Sequence, residues 1–298
     1  MFRYLHYDVF TDRPLTGNQL AVFTAPAGLT AADMARVTRE MNFSECTFVL
    51  PSEHPGTDVR LRIFAPEGEL PFAGHPVIGS TFALAHEGVL KAPQGRLVLG
   101  LGIGPTPVDL EWSGSELAFA WMTQRPPEFG PALDARDRMA SVLGIEPAAI
   151  HDAVPIQQVS CGLPFLYVPL KSREAVDRCA REPRASEALL REAGLTSRGL
   201  FVFSVEPGHD EATVYSRMLG AEREDTATGS ASGPLGCYLV RHGLVPPDRA
   251  GQILSRQGVK MERPSRVHIR IAGTPEAITD VKVGGASVLV GDGRITRV

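Results

Sequence analysis

Apolar and polar residues alternate over residues 2–9 with the period of two that marks a half-buried strand, and residues 12–18, rich in Asp, Pro, Gly and Asn, read as a turn. A short apolar strand follows at 20–23. The period then changes: Met34, Val37 and Met41 fall at helical spacing, Thr30 stands as N-cap and Asp33 at the third helical position, so the spacing predicts a helix over 31–41. Further strands are expected at 58–64, 97–99, 108–112 and 116–121, and a helix over 77–87 stopped by Gly88. The proline-rich stretch 123–132 reads as a linker.

Beyond it, a helix over 135–143 ends at Gly144, and 157–170 reads as one kinked strand. Helices are expected at 173–180 and 186–193, strands at 200–205 and 214–218, and a helix over 234–241 stopped by Gly243. Strands from 253, at 267–271 and at 281–289 close the chain. Strands outnumber helices, which predicts an α+β fold of two similar halves, 1–124 and 125–298, with the last strands free to return to the first half.

The halves share a motif. When the chain is slid along itself until Phe64 meets Leu219, Glu67 falls on Glu222, Glu69 on Glu224, Gly74 on Gly229, Leu84 on Leu239 and Gly88 on Gly243 without a gap. A match this long points to duplication of a whole domain rather than a short-period repeat. In each copy, strand-like residues end in carboxylates, and a glycine-rich turn then opens a helix. Glycine permits close backbone approach, and the unpaired N–H groups of a helix start favour an anion. Two ordinary helix caps would look the same in one copy; the duplication, with His75 opposite Ser230, favours a shared site for a carboxylate-bearing ligand.

Composition narrows the chemistry. With 298 residues, 43% hydrophobic and 21% charged, the chain can bury a substantial core, and a net charge of −4 without basic runs gives no footprint for nucleic acid. No apolar run approaches membrane-spanning length and the start lacks a signal-like pattern, so a cytoplasmic protein is expected, with no membrane partner. Four scattered cysteines form no CxxC pair, and no HExxH or His/Asp cluster offers metal-ligand spacing. The glycines at 100–104 lack the helix and acidic residue of a dinucleotide turn, so no cofactor is expected.

Glu45 stands where an apolar strand begins. A carboxylate there is solvated at the strand's mouth, bonded by nearby N–H groups, or a functional acid whose environment perturbs it.

The segments 17–23 (GNQLAVF), 42–49 (NFSECTFV), 74–76 (GHP), 162–165 (GLPF) and 224–231 (EDTATGSA) together resemble the phenazine-biosynthesis PhzF-like family. The resemblance runs from the first strand to near the C-terminus. It implies a diaminopimelate-epimerase-like fold, in which two pseudo-symmetric halves each wrap a β-barrel-like sheet around a central helix, with the active site in the cleft between them. The best-understood member isomerises trans-2,3-dihydro-3-hydroxyanthranilate without a cofactor, and members are usually homodimers. Carried over, the general acid/base falls on Glu45 and the other catalytic positions on His75, Asp225 and Ser230. Asn18, Ser44, Gly74, Thr228 and Gly229 are the implied substrate-binding positions. Thr226 stands where the family usually has proline. Related racemases carry a cysteine at each helix start; here those places hold His75 and Ser230, which disfavours two-thiol racemisation.

The expected function is a cofactor-independent isomerase moving a proton on a small unsaturated carboxylic acid. In it Glu45, desolvated by Phe43 and Phe48, holds a proton near neutral pH. Two alternatives stand beside it. Residues 229–233 match a GxSxG elbow with Ser232 as nucleophile, although the strand the elbow needs is poor and an Asp-then-His order is missing. A small-acid binding protein without turnover would keep the same residues. His86 and His242, in the last turns of the motif helices, suit the helix dipole as cations.

Overall fold

The computed structural model describes residues 1–296; residues 297 and 298, which close the range expected for the second half, lie outside it. The chain divides into two units, one of Met1–Thr123 with the chain from Val283 onward, the other of Gln124–Lys282.

In the first unit, β1 (Phe2–Val9) pairs antiparallel with β2 (Asn18–Phe23), and α1 (Ala31–Met41) carries the chain over to β3 (Glu45–Pro51), parallel to β2. Helix α1 begins with the expected N-cap, Thr30, which forms a capping box with Asp33, and ends at Asn42 in the left-handed conformation. β4 (Val59–Ala65) pairs antiparallel with β3 and with the short β5 (Gly68–Leu70), which the sequence pattern does not reveal. After α2 (Gly74–His86), strands β6 (Arg96–Leu101), β7 (Gly104–Ser113) and β8 (Glu116–Thr123) form a meander. The chain's last strand, Ser287–Ile295, pairs with the other edge of β1.

Helix α2 is mostly apolar and buried all round from Gly74 to Leu84, because β1, β2, β3, β8 and the last strand pack around it. It starts three residues before the sequence pattern suggests. Pro76 is tolerated in the first turn, where a backbone N–H has no helical partner to lose. The glycine turn expected ahead of this helix is therefore its opening turn.

The second unit runs through β9 (Glu128–Ala132), α3 (Arg136–Leu143), β10 (Gln157–Ser160), β11 (Pro164–Pro169), α4 (Arg173–Arg178) and α5 (Pro183–Glu192). It continues with β12 (Leu200–Ser204), β13 (Val214–Leu219), β14 (Glu224–Asp225), α6 (Gly229–Arg241), β15 (Ile253–Gln257) and β16 (Ser265–Gly273). The expected linker is shortened here: the units do divide at its start, but Glu128–Ala132 is a strand paired with β10, whose one proline, Pro131, falls at the register shift and outside the paired positions. The single kinked strand is a hairpin, since Gly162 (φ 132°) turns the chain between β10 and β11.

β11 and β12 pair in parallel and are buried on both faces, which accounts for their unbroken apolar runs. Leu166, Val168, Leu200 and Val202 face α3 and α5; Phe165, Tyr167, Phe201 and Phe203 face the cluster around α6. Helix α6 is buried from Gly229 to Val240, and it begins five residues before the expected start because Pro234 lies inside it.

Candidate active site

In the first unit the parallel register of β2 and β3 sets Leu20 beside Glu45, so the two strands begin side by side. Along β3 the period of two separates the side chains. Cys46 and Phe48 join the core under α1, where Phe48 stacks on Phe23 with ring centroids 4.8 Å apart. Thr47 sits on the other parity and shares a 2.8 Å hydrogen bond with Ser80 of α2, both wholly buried. Phe48 packs on the α1-side core, where strand alternation turns it away from Glu45, so it does not enclose that carboxylate as expected; Phe43 is half-buried against the same core.

Glu45 instead meets His75, from the first turn of α2, with Oε2 3.4 Å from Nε2 and side-chain exposures of 17% and 4%. The His75 Nδ1 lies 3.2 Å from Asn18 Nδ2, and Asn18 Oδ1 accepts a 3.1 Å bond from the Ser44 hydroxyl. With the amide oxygen facing Ser44, its nitrogen donates to Nδ1, and a neutral ring then carries its proton on Nε2, facing the carboxylate. Asn18, Ser44, Glu45 and His75 thus form one chain of polar contacts, and Gly74 precedes His75 as the first residue of α2. Its N-cap, Ala73, has no side chain to spend on the helix start, and no acidic residue stands in the first turn.

The second unit gathers Asp225, Thr228, Gly229 and Ser230 between the end of β14 and the first turn of α6. Thr228 is the N-cap but does not cap. Its hydroxyl donates to Asp225 Oδ2 at 2.6 Å, while its carbonyl accepts from the amides of Ala231 and Ser232. Glu224 beside Asp225 makes a bidentate pair with Arg217 (2.9 and 2.7 Å), and the same guanidinium donates to the carbonyls of Val176, Asp177 and Cys179 at the end of α4. This pair fixes β14 to the unit's interior. Ser230 is 7% exposed.

Sequence reasoning missed two glutamines. Gln257, wholly buried at the end of β15, bonds Asp225 and Thr228; the alternating inward run Ile253, Ser255, Gln257 is the signal that marks it. Gln124 donates to the Gly229 carbonyl at 2.9 Å, from within the stretch read as a linker, where no pattern distinguishes it. Ser232 does not form a nucleophile elbow. It lies within α6, is wholly buried, and donates its hydroxyl to the Thr228 carbonyl at 2.9 Å. His242 is not the helix-end cation expected: burial, then the charge of Arg241, push its pKa below the ordinary 6.5, and its Nε2 lies 2.8 Å from Gln157 Oε1.

Among the described residues no group of His, Cys, Asp and Glu is arranged to hold a metal ion, and no helix is long and apolar enough to cross a membrane.

The family model for phenazine biosynthesis-like proteins, PhzC-PhzF, matches residues 7–293. The chain is 34% identical over 294 residues to trans-2,3-dihydro-3-hydroxyanthranilate isomerase of Pseudomonas aeruginosa, covering 99% of each chain. Its structure matches that of a predicted epimerase from Pseudomonas aeruginosa with a TM-score of 0.85 at 34% identity, covering all of both chains. A PhzF-family protein of Bacillus anthracis has the same fold at 24% identity, with a TM-score of 0.87 over 99% of each chain. The α+β fold is that of the diaminopimelate-epimerase-like class, and the chain is an isomerase. With its motif residues gathered at the starts of α2 and α6, and with full-length likeness in sequence and structure, this chain belongs to the PhzF family of phenazine biosynthesis-like proteins.

Proposed function

We propose that this isomerase moves a proton on a small unsaturated carboxylic acid without a cofactor, with Glu45 as the proton carrier. The observation that supports this reading most directly is the 3.4 Å contact between Glu45 Oε2 and His75 Nε2 at the end of a half-buried polar chain. Glu45 takes a proton from an activated carbon of the substrate and returns it at another position. Each transfer changes its charge, and the imidazole N–H beside it accommodates that change, donating when the carboxylate forms. Asn18 and Ser44 hold the imidazole in the orientation this requires.

Negative charge spreads to the substrate's carboxylate as the proton leaves. The amides of Gly74 and Gly229, each opening a helix without a side-chain cap, supply positive ends for such charge. Asp225, Thr228 and Ser230 serve the same reaction by holding the substrate's polar groups. General acid–base catalysis of this kind is worth roughly 10²–10⁴-fold, and positioning supplies the remainder.

The test is hydrogen exchange in D2O, with trans-2,3-dihydro-3-hydroxyanthranilate as the first probe because relatives are named for it. A set of other small unsaturated acids follows. The wild-type protein incorporates solvent deuterium into at least one of them, and Glu45→Gln, which keeps the shape but carries no proton, does not. Exchange at the wild-type rate in Glu45→Gln would remove Glu45 from the mechanism.

A further inference from the structure

The side chain of Gln257 is wholly buried, and three polar contacts use its amide in full. Its Oε1 accepts the backbone N–H of Thr228 at 3.1 Å; its Nε2 donates to the Asp225 carbonyl at 2.8 Å and stands 2.9 Å from Thr228 Oγ1. A backbone N–H only donates and a backbone carbonyl only accepts, so the amide has one permitted orientation. One of its two hydrogens goes to Asp225 O and the other to Thr228 Oγ1. That hydroxyl oxygen is thereby made an acceptor, and its own hydrogen points to Asp225 Oδ2, 2.6 Å away. The same engagement draws the hydroxyl off the start of α6, which explains why a threonine at the N-cap leaves the helix without a side-chain cap.

The neighbouring backbone holds this arrangement in place. Gly258 has φ 76°, and a Cβ there would lie 2.6 Å from the Thr226 carbonyl and 2.3 Å from that of Arg263. Ser265 Oγ bonds the Thr226 and Gln257 carbonyls, each at 3.2 Å. The β15–β16 hairpin therefore lies directly against the backbone of residues 225–228, and Gln257 reaches from it to both ends of that loop.

We propose that Gln257 is a positioning residue, which directs the Thr228 hydroxyl at Asp225 and so aims that carboxylate for the reaction. The inference rests on the reading that Asp225 acts on the substrate, but it is tested without one. The Asp225 carboxyl carbon signal, identified by its loss in Asp225→Asn, is followed by NMR at fixed pH. Gln257→Met and Thr228→Val each shift it from the wild-type position. The double variant shifts it no further than Thr228→Val alone, and Thr228→Ser, which keeps the hydroxyl, leaves it in place. Where Gln257→Met does not fold, Gln257→Glu takes its place: it keeps an acceptor for the Thr228 amide and lacks the donor to Oγ1, so the same pattern is expected. An unmoved signal in the Gln257 variants, or additive shifts in the double, would overturn the proposal. If the signals behave as stated while no acid exchanges hydrogen, the reaction is wrong and the clamp stands; exchange with an unmoved signal gives the reverse.

Discussion

At the start of α2 the polar chemistry comes from a carboxylate and an imidazole in contact, two groups that can pass a proton. At the start of α6 it comes from a carboxylate held by a hydroxyl, which is held in turn by an amide. Both helices are buried and mostly apolar, and both open on glycine without a side-chain cap. In this the two helix openings are alike. The side chains set on them differ in kind: the pair in the first unit suits transfer, and the set in the second suits holding a fixed orientation.

The largest test of that division is kinetic. Glu45→Gln is expected to lower kcat roughly 10²–10⁴-fold with KM little changed, since in the proposed mechanism that carboxyl acts in the transition state. Asp225→Asn is expected to act mainly on KM, raising it roughly tenfold, as loss of binding does. Equal losses of kcat in both variants would erase the distinction.

The likeness of the two helices predicts equal fragility in them. A Cβ on Gly79 would lie 2.6 Å from Leu20 Cδ2 and 2.7 Å from Val9 Cγ2; one on Gly236 would lie 2.6 Å from Ile269 Cγ2 and 2.9 Å from Ile271 Cδ1. Gly79→Ala and Gly236→Ala should each cost roughly 1–3 kcal/mol in urea unfolding, as overpacking of a well-filled core does. A silent variant at either position would break the symmetry. Hydroxyl pairs offer a smaller comparison. Thr47→Val strands Ser80 in the first unit and Ser216→Ala strands Ser255 in the second, with an expected loss of about 1 kcal/mol each.

The smallest effect concerns pH and falls in the second unit. The folded pKa of His242 is lowered from 6.5, first by burial and then by Arg241. Its contribution to stability is therefore complete above pH 6.5 and is lost as the pH falls towards the folded value, because the unfolded chain binds the proton more readily. Between pH 7 and pH 5 the melting temperature of wild type should fall more than that of His242→Gln.

The sequence showed elements wherever a period or a cap is strong. Residues 2–9 alternate, Thr30 and Asp33 form the capping box, and Gly144, Gly88 and Gly243 follow helix ends with positive φ. The expected helix starts, 77 and 234, come late because proline signals a start, whereas Pro76 and Pro234 each lie within the helix. β9 is hidden by Pro131 within it and by Pro126 and Pro127 just before it. The motif residues of each unit could be read from the resemblance, and each unit gathers its own set. Gln257 lies outside the resemblance; the alternation over 253–257 marks its side chain as inward, but its partners come from the 225–228 loop, which that pattern does not show. The setting of Glu45 was misjudged because Phe48 is near in sequence but on the opposite face of β3.

The last strand, finally, has a consequence for biosynthesis. One edge of β1 is closed by residues near the end of the chain, Phe2 opposite Ile295 and Val9 opposite Ser287. A ribosome therefore releases most of the first unit long before that edge has its partner, while the second unit, continuous in sequence, is ready to assemble earlier. The part synthesised first is the part completed last. A chain stopped after Lys282 would leave that one edge of β1 open along its length, the kind of edge on which nascent polypeptides stick to one another, and is expected in the insoluble fraction of a cell-free translation.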